Sequence, residues 1–355
     1  MAETGTAADP LTPIELFVGC NEASDLLPVH SPELLAALGA RLAFWTVLDE
    51  GGIEECLALL VQGLDGGWKA IHLQADSGDE TGRTEDGEAL AYLDGQVYVV
   101  GSHFGSKAGP LRPRRAFFAR FGEADAAGGT VHLEVVRNQF RLHRAINDAL
   151  RDAAIAPLKP GERVHARFIV ETLARGGAKA KSWVDRLMHG DLPVNVEGAA
   201  FTPAGTLLLG LRFPVSEAGE PILVEIADVA GMFDNDPRTW PVVVRAYVLT
   251  GATPPGALAG FRALSARPDG TFDAVIGSID ATGKGSVLLE DYPMGGDVTS
   301  RHVRFALPDD PDAHAIAAEL VADLAPFRNV EGLTGVGDLR YYVTDEDHRV
   351  ALWVH

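Results

Sequence analysis

Five short segments of this chain nearly repeat one another, and this repetition constrains the fold more than any other feature. They read TVLDEGG (46–52), VVGSHFG (99–105), LLGLRFP (208–214), VIGSIDA (275–281) and YVTDEDH (342–348). Each is a run of β-branched or aliphatic residues that breaks into a polar or glycine-containing turn. A second phrase precedes three of them: DGEALAY (86–92), NVEGAAF (195–201) and NVEGLTG (329–335). Internal repetition of this size marks an array of like supersecondary units, none of which can bury its apolar face alone.

Further strand-like runs follow each repeated segment. They are CLALLVQ (56–62) and WKAIHLQ (68–74), RAFFARF (115–121) and TVHLEVV (130–136), PILVEIA (221–227) and PVVVRAYVL (241–249), SVLLEDY (286–292) and RHVRFAL (301–307). Turn residues separate these runs, as expected of strands. After YVTDEDH only RVALWVH (349–355) remains, so the last unit lacks an outer strand, while TPIELFV (12–18) is spare at the other end. The economical expectation is an all-β chain: one β-propeller domain spanning 1–355, with five blades, closed by the N-terminal strand. Six blades would require a strand set hidden in the longer connections. Closure removes the exposed edge that an open array would present.

Three segments stand outside the strand pattern. SPELLAALGA (31–40) has a serine cap and a proline at the first helical position, which predicts a short helix. In 310–327, Ile316, Leu320, Val321 and Leu324 fall on one helical face, which predicts a second helix. The stretch 137–192 is expected to be a helical insertion between blades two and three. There Leu142, Ala145, Ile146, Ala149 and Leu150 have helical spacing, and Trp183 with Leu187 suggests another helix. RVHARFIVETLARGG (163–177) between them fits helix or strand. The insertion is rich in cations, among them Arg137, Arg144, Arg163, Arg175, Lys179 and Lys181. These read either as solvated helix faces or as a lid whose cations face an acidic mouth.

Charge excludes some partners. Thirty Lys and Arg oppose 50 Asp and Glu, a formal net charge of −20 among 355 residues. Such a field repels nucleic acid and anionic membrane surfaces. The two cysteines, Cys20 and Cys56, form no CxxC pair and read as buried thiols in a reducing compartment. MAETGTAADP has neither the basic nor the apolar region of a secretory signal. No run approaches about 18 uninterrupted apolar residues, so no membrane span is expected. The expected location is cytoplasmic.

Alternating strand direction predicts where the chemistry sits. The phrases carrying Glu88, Glu197 and Glu331 begin innermost strands, and the turns after each second strand lie on the same face. Those turns bring Asp49–Glu50, Ser102–His103, Arg212 and Asp345–Glu346 to the same mouth. Clustered carboxylates stay ionised only beside a cation, so Glu88, Glu197, Glu331, Asp345 and Glu346 are candidate ligands for Ca2+ or Mg2+. His103 is the candidate proton carrier and Arg212 the candidate anion clamp, with Glu197 counted beside them as catalytic. Asp49, Glu50 and Ser102 are candidate ligand-binding residues. The glutamates read equally as ties between strands, with the glycines after Glu197 and Glu331 serving close packing near the axis.

FVGCNEAS (17–24), LAFWTVLDE (42–50), DGEALAYLDGQVYVVGSH (86–103), NVEGAAFTPAGTLLLGLRFPV (195–215) and YVTDEDHRVALWV (342–354) together resemble the bacterial family grouped as the domain of unknown function 3616. The resemblance spans most of the chain outside 137–192. It implies a β-propeller, distantly similar to esterase-like phytase and SdiA-regulated propellers. Where that family more usually has Cys-Asp-Ala-Ser, this chain has Cys20-Asn21-Glu22-Ala23-Ser24, which displaces or replaces the first carboxylate. Two functions stay open from the sequence. One is a divalent-metal-dependent hydrolase of a small anionic, phosphate-ester-like substrate, with a cation-activated water as nucleophile. The other is a non-catalytic propeller that binds a small molecule or peptide at the same mouth.

Overall fold

A computed structural model describes residues 12–18, 23–48, 51–153, 155–234, 240–281, 285–346 and 349–355, with the backbone alone at 345–346. The chain is mostly β. Among the described residues, five sheets of four or more strands follow one another along the sequence, each built mainly from sequential antiparallel strands with the first strand innermost, and a small sixth sheet pairs Gln74–Asp76 in parallel with Thr130–His132. Sheet one runs Ala23–Pro28, Ala40–Leu48, Leu57–Gly63, Trp68–His72. Sheet two runs Gly87–Leu93, Gln96–Gly101, Phe117–Gly122, Glu134–Arg137. Sheet three runs Asn195–Phe201, Leu207–Val215, Pro221–Ala227, Val242–Thr250, with Ala315–Ala317 added parallel at its edge. Sheet four runs Ala259–Ala266, Phe272–Ser278, Arg301–Phe305, Glu319–Asp323, and sheet five Val330–Val336, Leu339–Glu346, Arg349–Val354. The outer strand of sheet five is Ile14–Leu16, which pairs antiparallel with Arg349–Val354.

The innermost strands touch in order, one to two, two to three, three to four, four to five, and five back to one. Between each neighbouring pair of sheets lies an apolar core. Trp45 and Leu59 meet Val99 and Phe117 between one and two, and Tyr98 and Phe118 meet Leu209 between two and three. Leu223 and Tyr247 meet Phe261 between three and four, and Val275 meets Leu333 between four and five. Phe44 and Leu60 meet Val343 and Leu352 between five and one, where Leu16 is also buried.

The short helix Pro32–Leu38 forms as expected, with Ser31 Oγ accepting from Leu34 N at 3.1 Å and Gly39 left-handed at its end. Sheet four departs from expectation. SVLLEDY contains a helix, Val287–Asp291, because Ser286 caps it through Leu289 N (3.2 Å) and Leu288 is buried. RHVRFAL is therefore the third strand, and the segment expected to be a helix over 310–327 supplies the edge strands Ala315–Ala317 and Glu319–Asp323 instead. The helical spacing of Ile316, Leu320, Val321 and Leu324 does not bury them together: Ile316 faces sheet three, whereas Leu320 and Val321 are exposed. Unpaired edges on two sheets outweighed local periodicity.

The insertion is helical, at Arg141–Asp152 and through a continuous segment from Glu162 to Ala178. Leu142, Ile146 and Leu150 face the core between sheets two and three. The ambiguous stretch 163–177 is helix, anchored by Phe168 and Ile169, whereas around Trp183 and Leu187 there is only a short turn, Val184–Arg186. The helix stops near Gly176, where a Cβ would stand 2.6 Å from the Trp183 ring. Among the described residues, no helix is long and apolar enough to cross a membrane.

Candidate functional site

Each innermost strand contains a β-bulge near its start. The register slips between Ser24 and Leu27, Gly87 and Ala89, Val196 and Gly198, Phe261 and Ala263, and Val330 and Gly332. The residues standing in those slips include Asp25, Glu88, Glu197, Arg262 and Glu331. A bulge leaves one residue out of the ladder and re-aims its side chain. Five equivalent bulges thus give five ionisable residues one structural position. Glycines after two of them let the strands come this close: a Cβ on Gly198 would lie 2.8 Å from Leu264 Cβ, and one on Gly332 would lie 2.8 Å from the Asp25 carbonyl carbon.

A cavity of about 560 Å³ opens beside these bulges. Glu88, Glu197, Glu331, Ser102 and Arg212, all expected at the mouth, line it. So do Asp86, Glu85, Asn195, Asp280, Lys107, Arg112 and Arg115, which sequence reasoning passed over. A signal for two of them was present: Asp86 and Asn195 stand two residues before Glu88 and Glu197, in D-G-E and N-V-E. Arg262 was hidden because an arginine replaces the glutamate at the fourth bulge.

Its carboxylates are largely matched by guanidinium groups. Arg212 Nη1 donates to Glu197 Oε1 at 2.7 Å and its Nε to the Ser278 carbonyl at 3.2 Å. Burial alone would depress the Arg212 pKa, but Glu197, Asp280 and Glu88 more than offset it and hold the group above its usual value. Arg262, itself buried, pairs with Glu331 across sheets four and five. Arg115 Nη1 donates to Asp86 Oδ2 at 2.7 Å, and Ser102 Oγ donates to the same oxygen. Arg115 Nε also reaches Glu85 Oε1 at 3.3 Å. Asn195 Nδ2 donates to Glu197 Oε1 at 3.2 Å, and its Oδ1 is buried without a hydrogen-bond partner among the described residues.

Asp25 lies just below. Its carboxylate accepts from Leu26 N at 2.8 Å and Leu90 N at 2.7 Å. Complete burial nevertheless raises its pKa well above the usual carboxylate range, and the Glu197 charge adds to the rise.

His103 is not at the cavity. It is fully buried with φ of 61°, its Nδ1–H donates to the Gly101 carbonyl at 2.7 Å, and its Nε2 accepts from Asn138 at 2.6 Å. Burial pushes its pKa down to about 4. The imidazole is thus a neutral strut behind the wall, already using both nitrogens. Asp49 and Glu50 lie outside the described residues, as do the side chains of Asp345 and Glu346. Among the described residues, no group of three or more His, Cys, Asp or Glu side chains is arranged to hold a metal ion. Nor do cations of 137–192 line this cavity. The insertion instead backs the wall loop, where Leu111 N donates to Thr172 Oγ1 at 2.9 Å.

No protein-family model matches the chain, and no curated protein does. Solved structures overlap it loosely. A glycoside hydrolase of Parabacteroides distasonis, assigned as such without proof of activity, shares 8% identity over 99% of this chain and 95% of its own, with a TM-score of 0.44. A β-1,3-galactosidase of glycoside hydrolase family 43, solved with galactodeoxynojirimycin, shares 11% identity over 95% of this chain and 90% of its own, with a TM-score of 0.43. A mannose phosphorylase from Leishmania mexicana, in complex with phosphate, shares 9% identity over 97% of this chain and 87% of its own, with a TM-score of 0.41. At this level of overlap the likeness carries neither the site nor the reaction to this chain.

Proposed function

We propose that the chain is a five-bladed β-propeller of the domain of unknown function 3616 type, closed by Ile14–Leu16, whose mouth binds a small uncharged, hydroxyl-rich molecule. Support for the ring comes from the cyclic contact of the five inner strands and the pairing of the first strand with the last. The observation that carries the ligand class is the pairing of carboxylate with guanidinium at the mouth: Glu197 with Arg212, Glu331 with Arg262, Asp86 with Arg115. A carboxylate retains spare lone pairs after one such bond, and a guanidinium retains spare N–H groups. Acceptors and donors therefore stand side by side, which suits hydroxyl groups that donate and accept at once.

The alternatives fit less well. A divalent cation would have to displace guanidinium groups from the carboxylates. Among the described residues, a multiply charged anion would face six lining carboxylates against the four cations Lys107, Arg112, Arg115 and Arg212. The insertion, on this reading, is a buttress for the wall loop rather than a lid.

Thermal-shift measurements with neutral sugars and sugar lactones test the proposal, with CaCl2 and MgCl2 as contrasting additions. At least one neutral compound should raise Tm, and Glu88→Gln should abolish the rise. A rise seen only with calcium or magnesium, and lost in Glu88→Gln, would replace the reading with a metal site. A rise with neutral compounds that survives both Glu88→Gln and Asn195→Ala would place their binding elsewhere. Release of product from a stabilising glycoside or lactone would add hydrolysis to binding.

A further inference from the structure

A second cavity, of about 550 Å³, lies between the insertion helix Glu171–Ala178 and the wall loop around Gly109–Pro113. Among the described residues its lining carries five cations, Arg112, Arg137, Arg175, Lys179 and Lys181, and no Asp or Glu. In a chain with a formal net charge of −20, this concentration of one sign is the reverse of the molecule's field. Three of the five have acidic partners outside the lining: Arg112 with Glu85, Arg137 with Glu80, Arg175 with Glu171. Lys179 and Lys181 are exposed, and among the described residues neither has an ion-pair partner.

The walls are held by contacts within the fold. Trp183 lines the cavity while its ring packs edge-on against Phe140 at 5.0 Å, and Thr172 is buried with its hydroxyl fixed between Phe168 O and Leu111 N. A concave site with a fixed aromatic wall and convergent donors is the ordinary form of a small-molecule pocket. Guanidinium forks and ammonium groups together match phosphoryl oxygens. Five cations held near one another repel, and an anion with at least two charges would relieve that.

We infer that this cavity binds a small phosphorylated metabolite carrying two or more negative charges, at a site that shares Arg112 with the mouth cavity and is otherwise lined by different residues. The formal net charge of −20 disfavours an extended polyanion such as nucleic acid.

The test uses the full-length protein and inorganic pyrophosphate, followed by isothermal titration calorimetry at 50 and 200 mM NaCl. Saturable binding is expected, weaker at the higher salt because the cations are partly exposed. The double variant Lys179→Ala/Lys181→Ala, which changes the net charge by the same two units as the control below, should weaken it by about tenfold or more. Both side chains are exposed, so an unchanged Tm confirms that the variant folds. Lys69→Glu, on the exposed outer strand of sheet one, controls for net charge and should leave affinity within about twofold of wild type. Absence of saturable binding would overturn the inference, as would equal losses in the double variant and in Lys69→Glu. Binding unaffected by the double variant would overturn it as well.

Discussion

At the scale of single residues, the mouth is a set of charges that need one another. Arg212 is held by Glu197, and removing one member of a buried pair strands the other, at a cost of about 3–5 kcal/mol. Glu197→Gln should fall at the low end, about 3 kcal/mol, because the Ser278 carbonyl still accepts from Arg212 Nε and Asp280 remains nearby. Urea denaturation of wild type and variant measures this directly. His103 gives a pH signature instead. Its folded pKa of about 4 lies below the usual 6.5, so the unfolded chain binds the proton more readily. Its contribution is fully present above pH 6.5 and is lost as pH falls from 6.5 towards 4, amounting to about 3 kcal/mol. His143, fully buried and pushed down to about 3 by burial and the Arg144 charge, acts in the same direction. Melting temperatures between pH 7.5 and 4.5 should fall in wild type, and His103→Asn should flatten part of that slope. Asp25 runs the opposite way. Its raised pKa gives stability at low pH that fades as pH rises through the folded value, so the advantage of wild type over Asp25→Asn should shrink with rising pH.

At the scale of elements, the bulged inner strand is the device that the repeats encode. The sequence showed it three times, as Glu88, Glu197 and Glu331, because the glutamate was kept. It was invisible at Arg262, where the charge sign changes, and at Asp25, where the preceding phrase differs. Repetition reveals a position only while the residue type repeats, whereas the backbone keeps the bulge regardless. The exchange of helix and strand in sheet four had a different origin. Helical spacing over 310–327 was real, but two sheets lacked an edge, and pairing of Val303 with Leu320 met that need. Edge completion is non-local and leaves no periodicity to read. His103 was misplaced for a third reason: turn position fixed its backbone, not whether its ring faced the cavity or the core. Glycine spacing offers a test at this scale. A Cβ at Gly260, two residues before the Arg262 bulge, would lie 2.1 Å from the Arg212 carbonyl oxygen on sheet three. Backbone cannot yield as a side chain can, so Gly260→Ala should cost about 3 kcal/mol or more. It should also displace Arg212, so the variant should lose ligand response at the mouth in proportion beyond its loss of Tm. A change in stability alone, with ligand response intact, would separate sheet packing from the geometry of the mouth.

At the scale of the whole molecule, each of the five larger sheets shares its apolar cores with its neighbours, so the proposed ring would depend on the joint between the first strand and the last. Ile14, Glu15 and Leu16 pair with Leu352, Ala351 and Val350, and Leu16 is buried in the core that sheets five and one share. At that joint a single short strand couples distant ends of the chain. Truncating Leu16 to Ala should cost about 2–4 kcal/mol, the usual range for removing a buried leucine side chain. The more telling change is deletion of residues 1–18. It would expose the ladder groups of Arg349–Val354 and open the apolar face between sheets five and one, producing an edge that favours association. A closed ring should unfold in one cooperative step in urea, with the same midpoint by fluorescence and by circular dichroism. The deletion should split or broaden that step and bring concentration-dependent association in sedimentation velocity. If it leaves one sharp transition with an unchanged midpoint and a monomer, the joint between first and last strands does not hold the ring.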